Sequence, residues 1–162
     1  MKTWDRVIKD ALAMHAHADQ YAYFYGAKGV RLTMAVMRAL IEQEPEYWKR
    51  YTDKQIAEIM AFSVDRIGYD CSGFIGKVTG CNTYSGAIWD RCTDKTTPAK
   101  GLAASILWKP GHVGLDIGMG FYLQTGKEGE SITIGRISEN VIKWEGSGRL
   151  SSYIDYTGAS DL

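Results

Sequence analysis

The feature that most constrains this chain is a change of hydrophobic period between its two halves. Up to about residue 90 the apolar residues recur at helical spacing, whereas short β-prone runs separated by glycine turns follow from about residue 103. Trp4, Val7, Ile8, Ala11 and Leu12 share one face of a helix expected over about 4–19, with Thr3 as its cap. YAYFYGAKG at 21–29 reads as a tight loop or short extended piece. A second helix is expected from Thr33 to Gln43, stopping before Pro45, and a short helical turn from Glu46 to Tyr51. Thr52-Asp53-Lys54-Gln55 is a capping-box pattern opening a third helix to about Ile67, with Gly68 as its stop. Helices are also expected from Cys71 to about Val78 and around 84–92. The runs at 103–108, 112–117, 121–125 and 131–137 then predict a meander of antiparallel strands. Helices first and strands afterwards define an α+β domain, with helices packed on one face of a small antiparallel sheet.

The 162 residues suit one domain, 1–162, with a core of its own; the tail GASDL at 158–162 reads as a loosely held end. Nineteen Lys and Arg balance nineteen Asp and Glu, and no basic run tracks a phosphate backbone, so no nucleic acid partner is expected. GLAASILW at 101–108 is too short to cross a bilayer, so membrane insertion is not expected. The first twenty residues interleave charges with apolar residues where a signal peptide needs an unbroken hydrophobic region, so cytoplasmic synthesis without a leader is the expectation. Cys71, Cys81 and Cys92 are odd in number and match no zinc spacing, which argues against a metal knuckle or a disulfide scaffold.

A lone cysteine is most often a buried, inert residue. Cys71 differs in its setting, YDCSGF, at the start of an expected helix, where unpaired N–H groups and the helix dipole favour a thiolate. Asp70 falls at the N-cap, and Ser72 and Gly73 keep the first turn slim, leaving room for a substrate backbone and for a main-chain N–H to face an oxyanion. A thiol nucleophile also needs a base that returns a proton to the leaving amine. Of three histidines, His15 and His17 point to different faces of one helix, while His112 opens the run HVGLDIG directly after the Lys109-Pro110-Gly111 turn. On the partner strand of that hairpin, Gln124 is the one amide whose oxygen can accept the imidazole N–H. Cys81 and Cys92 read as structural, Trp108 as core, and Asp116 as facing solvent or a groove.

YDCSGF followed by GHVGLDIGMGFYLQT resembles the NlpC-type cell-wall cysteine peptidases, a papain-like family. Its patterns are Asp-Cys-Ser-Gly with an apolar residue after it, and Gly-His-Val/Ile-Gly on a strand. The resemblance covers residues 21–29 and about 69–125. It implies Cys71 as nucleophile, His112 as base and Gln124, twelve positions later, as third residue; the family more often has histidine there. It also implies a tyrosine from a Tyr-x-x-Gly-Gly motif, which Tyr23-Phe24-Tyr25-Gly26-Ala27 matches except at the last position, making Tyr23 the candidate and Tyr25 the reserve. About forty residues separate that motif from Cys71 where the family has about a dozen, so residues 30–68 read as a helical insertion walling the groove.

By the same resemblance the expected activity is a peptidoglycan hydrolase cutting stem peptides, typically between the γ-carboxyl of D-glutamate and the diamino acid, with no metal or organic cofactor. A phage or prophage endolysin, released to the cell wall by a separate pore-former, fits the compact chain. Two other readings stay open: an amidase or acyltransferase on the same scaffold, and a non-catalytic wall-binding or phage structural module.

Overall fold

A computed structural model describes residues 1–160; positions 161 and 162, the end of the GASDL tail, lie outside the described residues. The chain opens with β1 (Lys2–Thr3) and α1 (Trp4–Ala16), then a 3-10 turn (Ala18–Gln20). Next come β2 (Tyr21–Ala22), β3 (Lys28–Arg31), α2 (Met34–Gln43), α3 (Pro45–Trp48) and α4 (Asp53–Ser63). β4 (Ile67–Tyr69) leads into α5 (Cys71–Thr79) and α6 (Ser85–Asp90). The strands β5 (Thr93–Thr96), β6 (Ile106–Lys109), β7 (His112–Gly118), β8 (Phe121–Thr125), β9 (Ile132–Arg136), β10 (Gly146–Arg149) and β11 (Ile154–Asp155) complete it.

The centre is a six-stranded antiparallel sheet in the order β5-β10-β6-β7-β8-β9. A three-stranded sheet, β2-β4-β3, and the parallel pair β1-β11 stand beside it. The expected α+β layering is therefore present. Val7, Ala11 and Met14 of α1 and Phe74, Ile75 and Val78 of α5 pack on Ile106, Val113, Leu115 and Leu123 of the sheet. Full burial of each large apolar side chain here is worth about 1.5–3 kcal/mol. Helix α5 is the wedge: eight of its nine residues are buried, and it ends at Gly80, whose φ of +88° suits a left-handed stop.

A second cluster forms where α2, α3 and α4 leave the small sheet between β3 and β4. Phe24, Ala27, Leu32, Met37, Trp48 and Ile59 are its buried members. Thr33 caps α2 by accepting from Val36 N–H, and the Thr52/Gln55 capping box opens α4 in both directions. No helix among the described residues is long and apolar enough to cross a membrane.

Several boundaries differ from expectation. Helix α1 ends at Ala16, three residues early. Helix α4 stops at Ser63, because Asp65 N–H donates to Leu32 O and Leu32 N–H to Arg66 O, pulling the chain into β4. Gly68 is thus a strand residue: a Cβ there would come within 2.9 Å of Leu32 and Ala27, so packing demands the glycine, not helix termination. The run at 103–108 begins its strand only at Ile106. Strands β1, β5, β10 and β11 carry no period-2 pattern. Gly146 and Gly148 of β10 lie under Trp89, where any Cβ would come within 3.1 Å of the indole, so a strand forms from residues of poor β propensity.

Candidate active site

Two tight turns set the register of the strands that carry His112 and Gln124. Pro110 and Gly111, the latter at φ +77°, join β6 to β7 with Lys109 opposite His112. Gly118, Met119 and Gly120, all at positive φ, join β7 to β8. Because Leu115 pairs with Leu123, Gln124 lies opposite Gly114, and His112 is its diagonal neighbour on the same face. His112 Nε2 and Gln124 Oε1 are 2.6 Å apart. With the amide oxygen as acceptor the ring carries its proton on Nε2, which leaves Nδ1 as the basic nitrogen.

The ring has a second support that sequence reasoning missed. Trp144 stacks on His112 with centroids 5.2 Å apart and planes 11° apart, and meets Tyr122 edge-on at 5.3 Å. Gly114 makes the room, since a Cβ there would stand 2.8 Å from the indole. Trp144 follows β9 in an irregular stretch, VIKWE, that offers no periodicity to read. Burial lowers the His112 pKa from its ordinary value, Lys109 adds to that, and the Gln124 bond opposes it. The imidazole is therefore neutral at neutral pH and able to accept a proton.

Cys71 opens α5 and is 8 % exposed. Its sulfur accepts the backbone N–H of Val113, the residue after His112. The expected helix-terminal depression of its pKa is not the net result: burial pushes the thiol up and Asp70 adds to this, while the Val113 N–H, Lys28 and the Ser72 N–H pull it back. At rest the pair is thiol and neutral imidazole.

Asp70 caps α5 as expected. Its Oδ1 accepts from Gly73 N–H at 2.7 Å, from Lys28 Nζ at 2.7 Å and from Ser72 Oγ at 3.2 Å, and Lys28 also donates to Ser72 Oγ. Lys28, on β3, escaped the sequence reading because nothing within its own segment shows the carboxylate it neutralises. Asp116 departs from expectation: it is buried, and its Oδ1 accepts Gly118 N–H at 2.8 Å to hold the β7–β8 turn.

Tyr23, His112 and Gln124 line one cleft of about 730 Å³. Tyr23 is tied in by its N–H to Glu130 O at 2.9 Å. Burial raises its pKa, with Glu128, Cys71 and Asp70 adding to the rise, so its hydroxyl stays protonated as a donor. The far wall was not foreseen. Glu128 is buried, yet Tyr47 and Tyr51 donate to its two oxygens at 2.6 and 2.7 Å, which offsets the cost of desolvating a carboxylate. Burial pushes Tyr51 up to about 12. Tyr25, the reserve candidate, stacks on Tyr47 at 3.7 Å and serves as wall. Read from sequence, Glu128 sits in a turn segment, GKEGE, and nothing local marks it.

Ser72 and Gly73 also border a separate cavity of about 590 Å³ with Lys28, Lys77 and Tyr84. Cys81 and Cys92 are buried free thiols, and burial pushes Cys92 to about 12, an inert state. Trp108 is half-buried and stacks on Trp89 at 4.9 Å. Among the described residues no three His, Cys, Asp or Glu side chains group closely enough to hold a metal ion.

A cysteine at the start of a buried helix, held against the strand that carries a histidine, is the papain-like arrangement on an α+β frame. The chain adopts the NlpC/p60 fold. It superposes on the NlpC/p60 domain of the peptidoglycan hydrolase SagA with a TM-score of 0.53 at 18% identity, covering 91% of this chain and 98% of that one. It also superposes on the peptidoglycan hydrolase RipB from Mycobacterium tuberculosis with a TM-score of 0.55 at 14% identity, covering 91% of this chain and 66% of that one. No family model and no curated protein matches the sequence.

Proposed function

We propose that this protein is a peptidoglycan hydrolase, a cysteine peptidase that cuts a stem-peptide bond with Cys71, His112 and Gln124. The observation that carries the reading is the 2.6 Å His112–Gln124 bond one residue from the Val113 N–H that binds the Cys71 sulfur. The likeness to domains of two peptidoglycan hydrolases supports the substrate class.

In this mechanism His112 Nδ1 takes the thiol proton as Cys71 Sγ attacks the scissile carbonyl carbon. The negative charge that develops on the carbonyl oxygen meets a main-chain N–H at the start of α5 and the Tyr23 hydroxyl. Collapse of the tetrahedral species breaks the C–N bond, and the imidazolium returns its proton to the leaving amine. Water, deprotonated by the same imidazole, then cleaves the thioester and restores thiol and neutral ring. Gln124 holds the ring through Nε2–H throughout. The bond proposed for attack joins the γ-carboxyl of D-glutamate to the diamino acid.

The test is digestion of purified peptidoglycan of several chemotypes by the wild type and by Cys71→Ala, with the fragments read by mass spectrometry. New stem-peptide fragments that vanish in the variant are expected. A folded wild type that releases nothing from any chemotype contradicts the proposal.

A further inference from the structure

Resting on the peptidase reading, we propose that Arg50 is a preorganised fork for a free carboxylate of the peptide substrate and so sets specificity in the cleft. Arg50 follows α3 and lines the same cleft as Tyr23, His112 and Gln124. Two contacts fix its guanidinium. Nε donates to Tyr47 O at 2.9 Å, and Cζ lies 4.0 Å over the Tyr47 ring. Tyr47 is itself immobilised twice, by stacking on Tyr25 at 3.7 Å and by its hydroxyl on Glu128 at 2.6 Å. An arginine held this way has given up little of its fork: the two terminal nitrogens keep their N–H groups, and no carboxylate among the described residues pairs with it.

The charge inventory of the cleft points the same way. Of its two acids, Glu128 already accepts two tyrosine hydroxyls and Glu130 lies 3.6 Å from Lys127. Arg50 and Lys109 form no ion pair among the described residues, and with Lys127 they set three cations against these two carboxylates, so the cleft carries a net positive charge. A planar guanidinium binds a carboxylate through two parallel N–H bonds, whereas it binds a primary amide poorly, because the amide has one acceptor and presents its own donors. A glutamate joined through its γ-carboxyl keeps its α-carboxyl free, so the proposed substrate carries an anion close to the scissile carbonyl. Where that carboxyl is amidated, the fork loses its partner.

Two synthetic stem peptides, identical except that the glutamate α-carboxyl is free or amidated, test the assignment with wild type, Arg50→Gln and Arg50→Lys. Wild type is expected to favour the acid by about tenfold in kcat/KM, with the difference in KM. Arg50→Gln brings the acid-to-amide ratio close to one, and Arg50→Lys, which keeps charge but not the fork, falls between. An equal ratio in wild type and Arg50→Gln overturns the proposal. Calorimetric binding of both peptides to Cys71→Ala, with and without Arg50→Gln, separates it from the peptidase reading. Tighter binding of the acid that depends on Arg50, without cleavage by wild type, sinks the peptidase and keeps the fork; cleavage with no acid preference in either assay sinks the fork alone.

Discussion

The two sides of the cleft are built differently. His112 and Gln124 stand on adjacent antiparallel strands whose opposite face packs into the main core with α1 and α5. Tyr47 and Tyr51 stand on the short α3 and the turn after it, packed on a smaller cluster with Phe24, Leu32, Met37 and Trp48 and clasped to the β8–β9 loop by Glu128, and Arg50 is held on Tyr47. The strand side is paired in antiparallel ladders on both edges of β7 and β8, and its ring is held by an amide and an indole. The helical side depends on tyrosine hydroxyls and one carboxylate. Groups that move protons need fixed geometry, whereas a wall that selects substrates can be packed separately and changed without disturbing the chemistry. Damage to the first side should therefore appear in kcat, and damage to the second in KM.

The largest effect expected is from Cys71→Ala, which should lower hydrolysis by roughly 10⁴-fold or more while the melting temperature stays within a few degrees, since one buried sulfur is lost from a large core. A thermal melt beside a turnover assay checks both halves. Next is Gln124→Ala, which frees the imidazole to rotate and should reduce kcat by about 10- to 100-fold with KM little changed. A rise in KM instead would place Gln124 on the substrate side of the comparison.

Trp144→Ala should cost about 3 kcal/mol of stability and open the imidazole to water. Burial now holds the His112 pKa below 6.5, so the acid limb of kcat/KM lies below that pH in the wild type. Exposure favours the imidazolium, so the limb should move up toward 6.5 in Trp144→Ala and much less in Trp144→Phe, which keeps a stacked ring. A pH profile whose acid limb does not move would remove Trp144 from the histidine's support. The smallest effect is from Glu128→Gln, which keeps the shape but removes the charge behind two hydrogen bonds. It should lower stability by about 1 kcal/mol and raise KM severalfold, with kcat close to wild type. A large fall in kcat would mean that the clasp reaches the chemistry through Tyr23.

The same contrast explains what could be read from the sequence. The strand side was legible because its devices are local: a Pro-Gly turn, a glycine hairpin, and alternation that places His112 and Gln124 on one face twelve residues apart. The cap of α5 was legible too, as Asp70 and Gly73 are three residues apart. The contacts that were missed join distant segments. Lys28 meets Asp70 across 42 residues, Tyr47 meets Glu128 across 81, and Trp144 reaches His112 from the irregular segment that leads into β10. The thiol was misjudged for a related reason: a helix N-terminus is visible in sequence, but the depth at which it is buried is not, and depth decides the sign.

The central claim is that Cys71 carries the acyl group between attack and release. Rapid mixing of the protein with a stem peptide, acid quench and intact-mass spectrometry would test it most directly. A mass gain equal to the acyl half of the substrate, mapped to the Cys71 peptide, labile to hydroxylamine and absent from Cys71→Ala, is the predicted result. Release of the same fragments by Cys71→Ala, with no adduct at any time in the wild type, would contradict it.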